Sequence, residues 1–158
     1  MTTGAMKTKT ILLLLSSVLL AACDTATVYT GFRPTPENGW DKDSVLTWSF
    51  AVSDTAVPYD ILLHIRHTER YRYQNMWLFL NGDRDTIEFY LADDRGLWLG
   101  NRGNGTISMP VLYEHDYRFA HPGMHTLSLR HGMRQEQLRG VTGVGLEIRK
   151  SEYRHGKE

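Results

Sequence analysis

The chain has 158 residues and a mass of 18.2 kDa, enough for one domain with a hydrophobic core and too few for two ordinary ones. Lys plus Arg and Asp plus Glu both number 18, so the formal net charge is +0 and no overall field would attract nucleic acid. A single cysteine excludes an internal disulfide and a cysteine-rich zinc site, and the many aromatic residues favour strands over helices.

The N-terminus has the layout of a secretory signal. Lys7 and Lys9 precede an apolar run, Ile11–Leu20, and small residues follow it. The run is far shorter than the roughly 20 residues that cross a bilayer as a helix. We therefore predict that residues 1–22 are a signal peptide that is removed from the mature protein.

The only cysteine, Cys23, ends this segment. Leu20-Ala21-Ala22-Cys23 resembles the bacterial lipobox, in which signal peptidase II cuts before the cysteine and the thiol becomes diacylated. Two or three acyl chains, at about 0.8 kcal/mol per buried methylene, would hold the protein on a membrane permanently. The alternative is a chance thiol after an ordinary secretory signal. A catalytic thiol is disfavoured because a nucleophilic cysteine needs a folded pocket and a base.

The mature chain divides into three parts. Residues 23–39 are predicted to be a lipid-anchored linker, in which Arg33–Gly39 is a loop by its two prolines and Asn38-Gly39, and the preceding segment is a linker or an edge strand. Residues 40–150 form the domain, and residues 151–158 are predicted to be a disordered tail.

Short apolar runs alternate with turn signals along the domain, and no helical period is long enough to indicate a helix bundle. A single short helix is predicted over Arg134–Arg139. Because βαβ alternation is absent, the predicted fold class is all-β, a single antiparallel β-sandwich that is jelly-roll-like. The predicted strands are Val45–Val52, Tyr59–His67, Asn75–Asn81, Asp85–Leu91, Thr106–Tyr113, Met124–Arg130 and Gly145–Lys150.

Alternation along two of these strands predicts which side chains enter the core. In the first, Leu46, Trp48 and Phe50 share the core face. In the second, the face that is predicted to pack in the core carries Tyr59, Ile61, Leu63 and Ile65. The face that is predicted to contact solvent carries Asp60, Leu62, His64 and Arg66. Asn81-Gly82 predicts a hairpin turn after the third strand.

Seven histidines raise the question of a metal site, and the spacing argues against one. His121 and His125 flank Pro122-Gly123, which indicates a turn rather than the helix that would align an HxxxH pair. His64 and His67 lie three apart on a strand and so point to opposite faces. We predict structural or solvent-exposed histidines, no metal site and no cofactor.

The densest glycine stretch runs from Leu97 to Gly105. It lacks the Lys-Ser/Thr of a P-loop and a following helix, so we predict a loop or a bulged turn. Trp98 within it is either a core plug at the rim of the sandwich or an exposed anchor for a partner, and the plug is favoured because Trp is usually mostly buried.

No pattern supports an enzyme. Asp83, Asp85, Asp93 and Asp94 cluster in the sequence, and two carboxylates at suitable separation would serve glycoside hydrolysis, but charged turn residues are the commoner explanation. The GxSxG signature of a serine nucleophile is absent. No catalytic residue is predicted, and a hydrolase that uses the loop carboxylates is a distant third alternative.

A sandwich with exposed aromatic rings could instead bind a glycan by stacking. The candidate rings are Trp40, Tyr71, Tyr73 and Trp77. A contiguous row of solvent-facing rings would favour this alternative, and their burial would remove it. A carbohydrate-binding envelope lipoprotein is therefore the second hypothesis.

A series of short motifs runs through the mature chain: Tyr59-Asp60-Ile61, Ile65-Arg66, Gln74-Asn75, Asp85-Thr86-Ile87, Gly96-Leu97-Trp98-Leu99-Gly100, Met133-Arg134, Leu138-Arg139-Gly140-Val141 and Val144-Gly145-Leu146. Their order resembles the GldH family of gliding motility lipoproteins of the Bacteroidota. The likeness covers nearly all of the mature chain, and the lipobox adds independent weight.

The resemblance implies a non-catalytic accessory or scaffolding lipoprotein of the gliding machinery, which is coupled to type IX secretion of surface adhesins. Its partners would be the membrane, through Cys23, and other gliding or type IX secretion proteins of the envelope. We expect it in the cell envelope, facing the periplasm, with the outer membrane favoured over the inner one.

The resemblance also makes five motif residues fold or interface positions: Arg66, Asn75, Trp98, Arg134 and Gly145. Arg66 and Arg134 are the first to test, because a guanidinium fixed within a strand or turn usually has a bidentate partner.

Overall fold

A computed structural model describes residues 26–151, which form eleven β-strands and no helix, hence none that could cross a membrane. The strands are β1 (Thr27–Pro34), β2 (Trp40–Asp41), β3 (Leu46–Val52), β4 (Tyr59–His67), β5 (Asn75–Leu80), β6 (Asp85–Tyr90), β7 (Asn101–Gly103), β8 (Thr106–Tyr117), β9 (Gly123–His131), β10 (Gln137–Leu138) and β11 (Val141–Lys150).

Two antiparallel sheets pack against each other. The five-stranded sheet has the order β1-β11-β4-β8-β7, the four-stranded sheet has the order β3-β9-β5-β6, and β10 pairs with β2 in a short ribbon. One hydrophobic core lies between the sheets and takes side chains from both, such as Leu63 from β4 and Leu78 from β5. The predicted all-β sandwich is confirmed.

The strand directions define two ends of the sandwich. At the Ala26 end, β1 begins, β11 finishes, and the connections β3–β4 and β8–β9 turn back. At the opposite end, which we call the Arg134 end, β4 and β9 finish and the loop before β11 turns back. The nine residues of β4 span about 30 Å between the two ends.

The predicted core faces agree with the structure. Trp48 and Phe50 of β3 are buried and Leu46 is half-buried, and the apolar set of β4 is at most 4% exposed. The outer face of β4 is less exposed to solvent than predicted, because Asp60 and Leu62 are only 6% and 8% exposed. Neighbouring strands and the chain end after β11 cover them.

The first sheet begins earlier than expected. Strand β1 lies inside the segment predicted as a linker, and it pairs with β11 from Thr27↔Arg149 to Pro34↔Gly143. The edge-strand alternative therefore applies to this segment, and the sandwich includes it. The signal peptide, Cys23 and residues 152–158 lie outside the described residues. Ser151, the first residue of the predicted tail, donates a hydrogen bond to the Pro58 carbonyl.

The prediction of a short helix over Arg134–Arg139 is wrong. This segment contains β10, which pairs Leu138 with Trp40, and both side chains are fully buried. Two buried side chains outweigh the helix propensity of Gln, Glu and Arg.

The predicted turns follow their sequence signals. The β5–β6 hairpin turns through Asn81, Gly82 and Asp83, all with positive φ, which Asn, Asp and Gly adopt most readily. The glycine stretch is part turn and part strand, because β7 occupies Asn101–Gly103 before Asn104-Gly105 turns the chain into β8.

Candidate interaction surfaces

The five motif residues fall into two surface groups and one half-buried position. Arg66 and Gly145 lie together on the outer face of the five-stranded sheet. Asn75 and Arg134 line one groove at the Arg134 end. Trp98 packs against the core from a loop. Strand register brings the first pair together, and the loop after β9 brings Arg134 to Asn75.

The first surface is built on a close approach of β1 to a glycine. The Phe32 ring lies over Gly143, where a Cβ atom would collide with the ring. The Arg66 guanidinium stacks on the same ring, with its Cζ 4.5 Å from the ring centroid, in cation–π geometry. Phe32 keeps 37% of its surface exposed.

Gly145 continues this surface as the floor of a shallow groove of about 370 Å³. A Cβ at Gly145 would lie 3.2 Å from the Cβ of His64, so a larger residue would crowd the floor. Beside it, His64 Nε2 and Glu147 Oε2 are 2.7 Å apart. We call Phe32, His64, Arg66, Leu112 and Gly145 the Phe32 face; the strand register places all five on the same side of the sheet.

The second surface is a groove between the start of β5 and the loop after β9, with a volume of about 420 Å³. Asn75 Nδ2 donates to Glu88 Oε1 at 2.6 Å, and the Trp77 amide donates to Met133 Sδ at 3.4 Å. We call this the Trp77 groove; its lining includes Tyr73, Asn75, Trp77, Met133, Arg134 and Gln135.

The expected bidentate partners of Arg66 and Arg134 are not found among residues 26–151, where Arg66 stacks on a ring and Arg134 has no ion pair. A bidentate arginine–carboxylate pair instead joins Arg130 and Asp83, with an Nε–Oδ1 distance of 3.1 Å and an Nη2–Oδ2 distance of 2.6 Å. The hydrogen bond from Arg130 lowers the pKa of the Asp83 carboxyl, although partial desolvation opposes it. Sequence reasoning missed this pair because the β5–β9 register brings the β5–β6 turn to Arg130.

Trp98 lies where the plug hypothesis predicts. It is half-buried against the core, and its ring is 4.7 Å from the His67 ring in an edge-on arrangement. A bridge to Ala92 fixes the loop that carries it. Trp98 therefore closes the rim of the core instead of projecting from it.

Two of the four rings proposed for glycan stacking are unavailable. Trp40 is fully buried and Tyr71 is 2% exposed, with its hydroxyl donating to the Asn75 carbonyl at 2.7 Å. Tyr73 and Trp77 remain accessible, and both line the Trp77 groove. The stacking set is thus smaller than predicted, and the structure places it beside two of the motif residues.

Among the clustered carboxylates, Asp85 and Asp93 lie too far apart to form an acid pair. Asp85 lies at the start of β6 and Asp93 lies beyond its end, so they are separated by roughly the 20 Å length of that strand. Asp85 accepts from the Tyr113 hydroxyl at 2.7 Å, and Asp93 accepts from the Leu97 amide at 2.8 Å. Both are turn and strand-end carboxylates with local partners.

One group has the geometry of metal ligands within the described range: Asp60, His115 and Asp116. Burial raises the pKa of Asp60, but hydrogen bonds from Ser151 and His115 outweigh it and lower that pKa overall. The Arg149 guanidinium also lies 3.5 Å from Asp60. Because a cation and two side-chain donors already satisfy the carboxylate, the group fits a structural ion cluster.

A comparison with protein families shows to which family this β-sandwich protein belongs. Residues 27–148 match the family model described as GldH lipoprotein. The chain belongs to the GldH lipoprotein family. The match spans the described sandwich from the first strand to the last and confirms the resemblance drawn from the motifs.

Two relatives in this family cover most of the chain. The gliding motility lipoprotein GldH homolog of Christiangramia forsetii is 29% identical over 149 residues, which are 85% of this chain and 91% of that protein. The gliding motility lipoprotein GldH of Flavobacterium johnsoniae is 26% identical over 151 residues, with 87% and 93% covered. Both names describe gliding motility lipoproteins, and neither names an enzyme.

A crystal structure of the infectious bursal disease virus VP2 subviral particle is similar at 15% identity, with a TM-score of 0.28. The alignment covers 80% of this chain and spans only 31% of the viral chain. A similarity this low supports no statement about fold or function.

Proposed function

We propose that this protein is a non-catalytic accessory or scaffolding lipoprotein of the gliding machinery, coupled to type IX secretion, and that it binds other envelope proteins through the Phe32 face. Family membership supports the general role. The observation that carries the binding role is the stacked Arg66–Phe32 pair on an exposed sheet face. Asp85 and Asp93 each have local partners and lie about a strand's length apart, which disfavours them as the acid pair of the hydrolase alternative.

A lipid anchor at Cys23 would fix which end of the sandwich meets the membrane. Only three Cα steps separate Cys23 from Ala26, a reach of at most about 11 Å. The Lys150 amide donates to the Ala26 carbonyl at 2.7 Å, so this point is part of the folded sheet. An acylated Cys23 therefore holds the Ala26 end near the headgroups, and the Arg134 end can extend about 30 Å farther. We place the domain in the periplasm, with the outer membrane favoured.

The Phe32 face has the composition of a protein interface. Interface centres are rich in aromatic residues and Arg, and large side chains there contribute most of the binding energy. Phe32 and Leu112 are 37% and 53% exposed, and Arg66 has no carboxylate partner among the described residues. A partner with an apolar patch and a carboxylate would match this surface.

Affinity purification from native membranes tests the proposal. The wild-type lipoprotein should co-purify with gliding or type IX secretion proteins, and Arg66→Ala should weaken that recovery because it removes both the guanidinium and its cover on Phe32. Arg134→Ala is the matched control, since it removes an exposed guanidinium at the other surface. Recovery that is unchanged by Arg66→Ala, or lost equally with Arg134→Ala, would contradict the assignment of the face.

A further inference from the structure

We propose that the Trp77 groove binds an acidic carbohydrate, with one carboxylated sugar ring stacked on Trp77 and its carboxylate held by Arg134. This role is separate from the protein partner assigned to the Phe32 face, because the groove is formed by β5 and the loop after β9 on the other sheet.

The aromatic wall of the groove is held in place from behind. Trp77 is 39% exposed, while its backbone amide donates to Met133 Sδ and its carbonyl accepts from the Gly132 amide at 2.7 Å. Tyr73 packs edge-on against the buried Tyr71 ring at 5.6 Å. Aromatic side chains have few rotatable bonds and lose little conformational entropy on binding, so these two rings suit a ligand that stacks on a ring face.

The polar groups of the groove have unused hydrogen-bonding capacity. One amide hydrogen of Asn75 is directed to Glu88, which orients the side chain and leaves its other hydrogen available. Gln135 Oε1 is buried without a hydrogen-bond partner in the described part of the chain. A buried acceptor without a partner is unfavourable, and a rotation of the Gln135 side chain that let a sugar hydroxyl donate to Oε1 would remove that cost.

Arg134 gives the groove a positive charge that favours an acidic ligand, whose carboxylate must point away from Glu88, which lies across the sheet from Trp77. Arg134 is exposed, and no carboxylate among residues 26–151 pairs with it. A guanidinium binds a carboxylate through two parallel hydrogen bonds, a geometry that a neutral sugar cannot supply. A uronic acid combines this carboxylate with the hydroxyls and the ring face that the other side chains require.

The size of the groove favours a small ligand over a protein. Its volume of about 420 Å³ lies in the range of ligand sites, which is roughly 300 to 1,000 Å³. Across the sheet from Asn75, Tyr90 is 60% exposed and extends the aromatic surface beyond the groove. The groove therefore holds about one sugar unit, and Tyr90 can contact the next.

Calorimetric titration of the detergent-solubilised, acylated protein tests the proposal with digalacturonate and with its methyl ester, which keeps the ring and removes the charge. A disaccharide of glucuronate repeats the test with a different ring. We expect millimolar or tighter binding of at least one acid and binding of its ester weaker by about tenfold or more.

Variants assign the binding to the groove. Trp77→Ala should abolish it, and Arg134→Gln should reduce binding of the acid to the level of the ester. Arg139→Gln, an exposed arginine near in sequence, and Arg66→Ala should leave it unchanged, and near-ultraviolet circular dichroism checks the fold of each variant. Failure of both acids to bind at millimolar concentration, equal binding of acid and ester, or binding that survives Trp77→Ala would overturn the proposal. None of these results depends on co-purification through the Phe32 face.

Discussion

Acid should destabilise this fold through two buried histidines. The ring of His131 is fully buried, with Nε2–H donating to the Trp40 carbonyl at 2.9 Å and Nδ1 unpartnered within the described residues. His67 is also fully buried; its Nδ1–H donates to the Thr68 carbonyl at 3.2 Å, and its Nε2 has no partner there. Burial lowers the pKa of both imidazoles in the folded chain, and the nearby Arg102 adds to the effect at His67.

The sign of the pH dependence follows from these shifts. Below a pH of about 6.5 the unfolded chain protonates both rings while the folded chain keeps them neutral, so the free energy of unfolding falls as the pH falls. A ring that stayed entirely neutral in the fold would contribute a loss of about 1.4 kcal/mol by pH 5.5, so the two rings together contribute at most about 2.8 kcal/mol. The loss continues until the pH reaches the lowered pKa values of the folded chain. Near His131, Asp41 and Glu136 oppose the shift without reversing it.

Urea unfolding followed by tryptophan fluorescence between pH 7.5 and 5.5 measures this loss. The protein is the mature chain with Cys23→Ser, which prevents acylation. His67→Asn and His131→Gln keep the donor that each ring uses and remove its titration, so each should flatten the pH dependence by about half and the double variant should remove most of it. A free energy of unfolding that is constant over this range, or a double variant with the wild-type slope, would refute the reasoning.

Three further predictions concern packing and anchoring. Gly143→Ala should lower the free energy of unfolding by about 1 to 3 kcal/mol because the new Cβ would overlap the Phe32 ring and the Arg33 carbonyl, whereas Gly103→Ala, with open space around it, should change it little; urea unfolding compares them. Leu78→Ala should lower the free energy of unfolding by about 2 to 5 kcal/mol, since Leu78 is 0% exposed between the sheets. Thermal melting measures the loss, and a midpoint close to that of the wild type would contradict the prediction. Cys23→Ser should abolish the incorporation of labelled palmitate into the protein, and labelling equal to that of the wild type would argue against acylation at Cys23.

Local patterns predicted the core-facing residues well. Alternation in β3 and β4 identified Trp48, Phe50, Ile61 and Leu63, because a strand between a core and solvent must place every second side chain inward. The same rule could not show that Asp60 is buried. That burial depends on Ser151 and His115, which reach it from distant parts of the chain.

The errors arose where pairing over long sequence distance decided the structure. Thr27–Pro34 carries a weak alternation and becomes a strand through its partner β11. Leu138 lies in a segment of strong helix formers, yet pairing with β2 buries it beside Trp40. In both cases tertiary contacts override the local preference.

The sequence predicted which residues belong to the candidate surfaces, but it did not predict how those residues are grouped in space. Arg66, Gly145, Asn75 and Arg134 belong to motifs that the sequence shows, but their grouping into two separate surfaces follows from the register of β4 with β11 and from the loop after β9. The β1 residue Phe32, which completes the first surface, has no motif of its own. Its role depends on the space above Gly143, which only the folded sheet reveals.

Site-specific photo-crosslinking from Phe32 in native membranes tests the central claim most directly. A photoreactive residue at position 32 of the acylated protein should form a crosslink to a gliding or type IX secretion protein, and Arg66→Ala in the same chain should reduce its yield while Arg134→Ala does not. Crosslinks to lipid alone, or a protein crosslink that both arginine variants leave intact, would contradict the account of a membrane-anchored scaffold that binds its partner through this face.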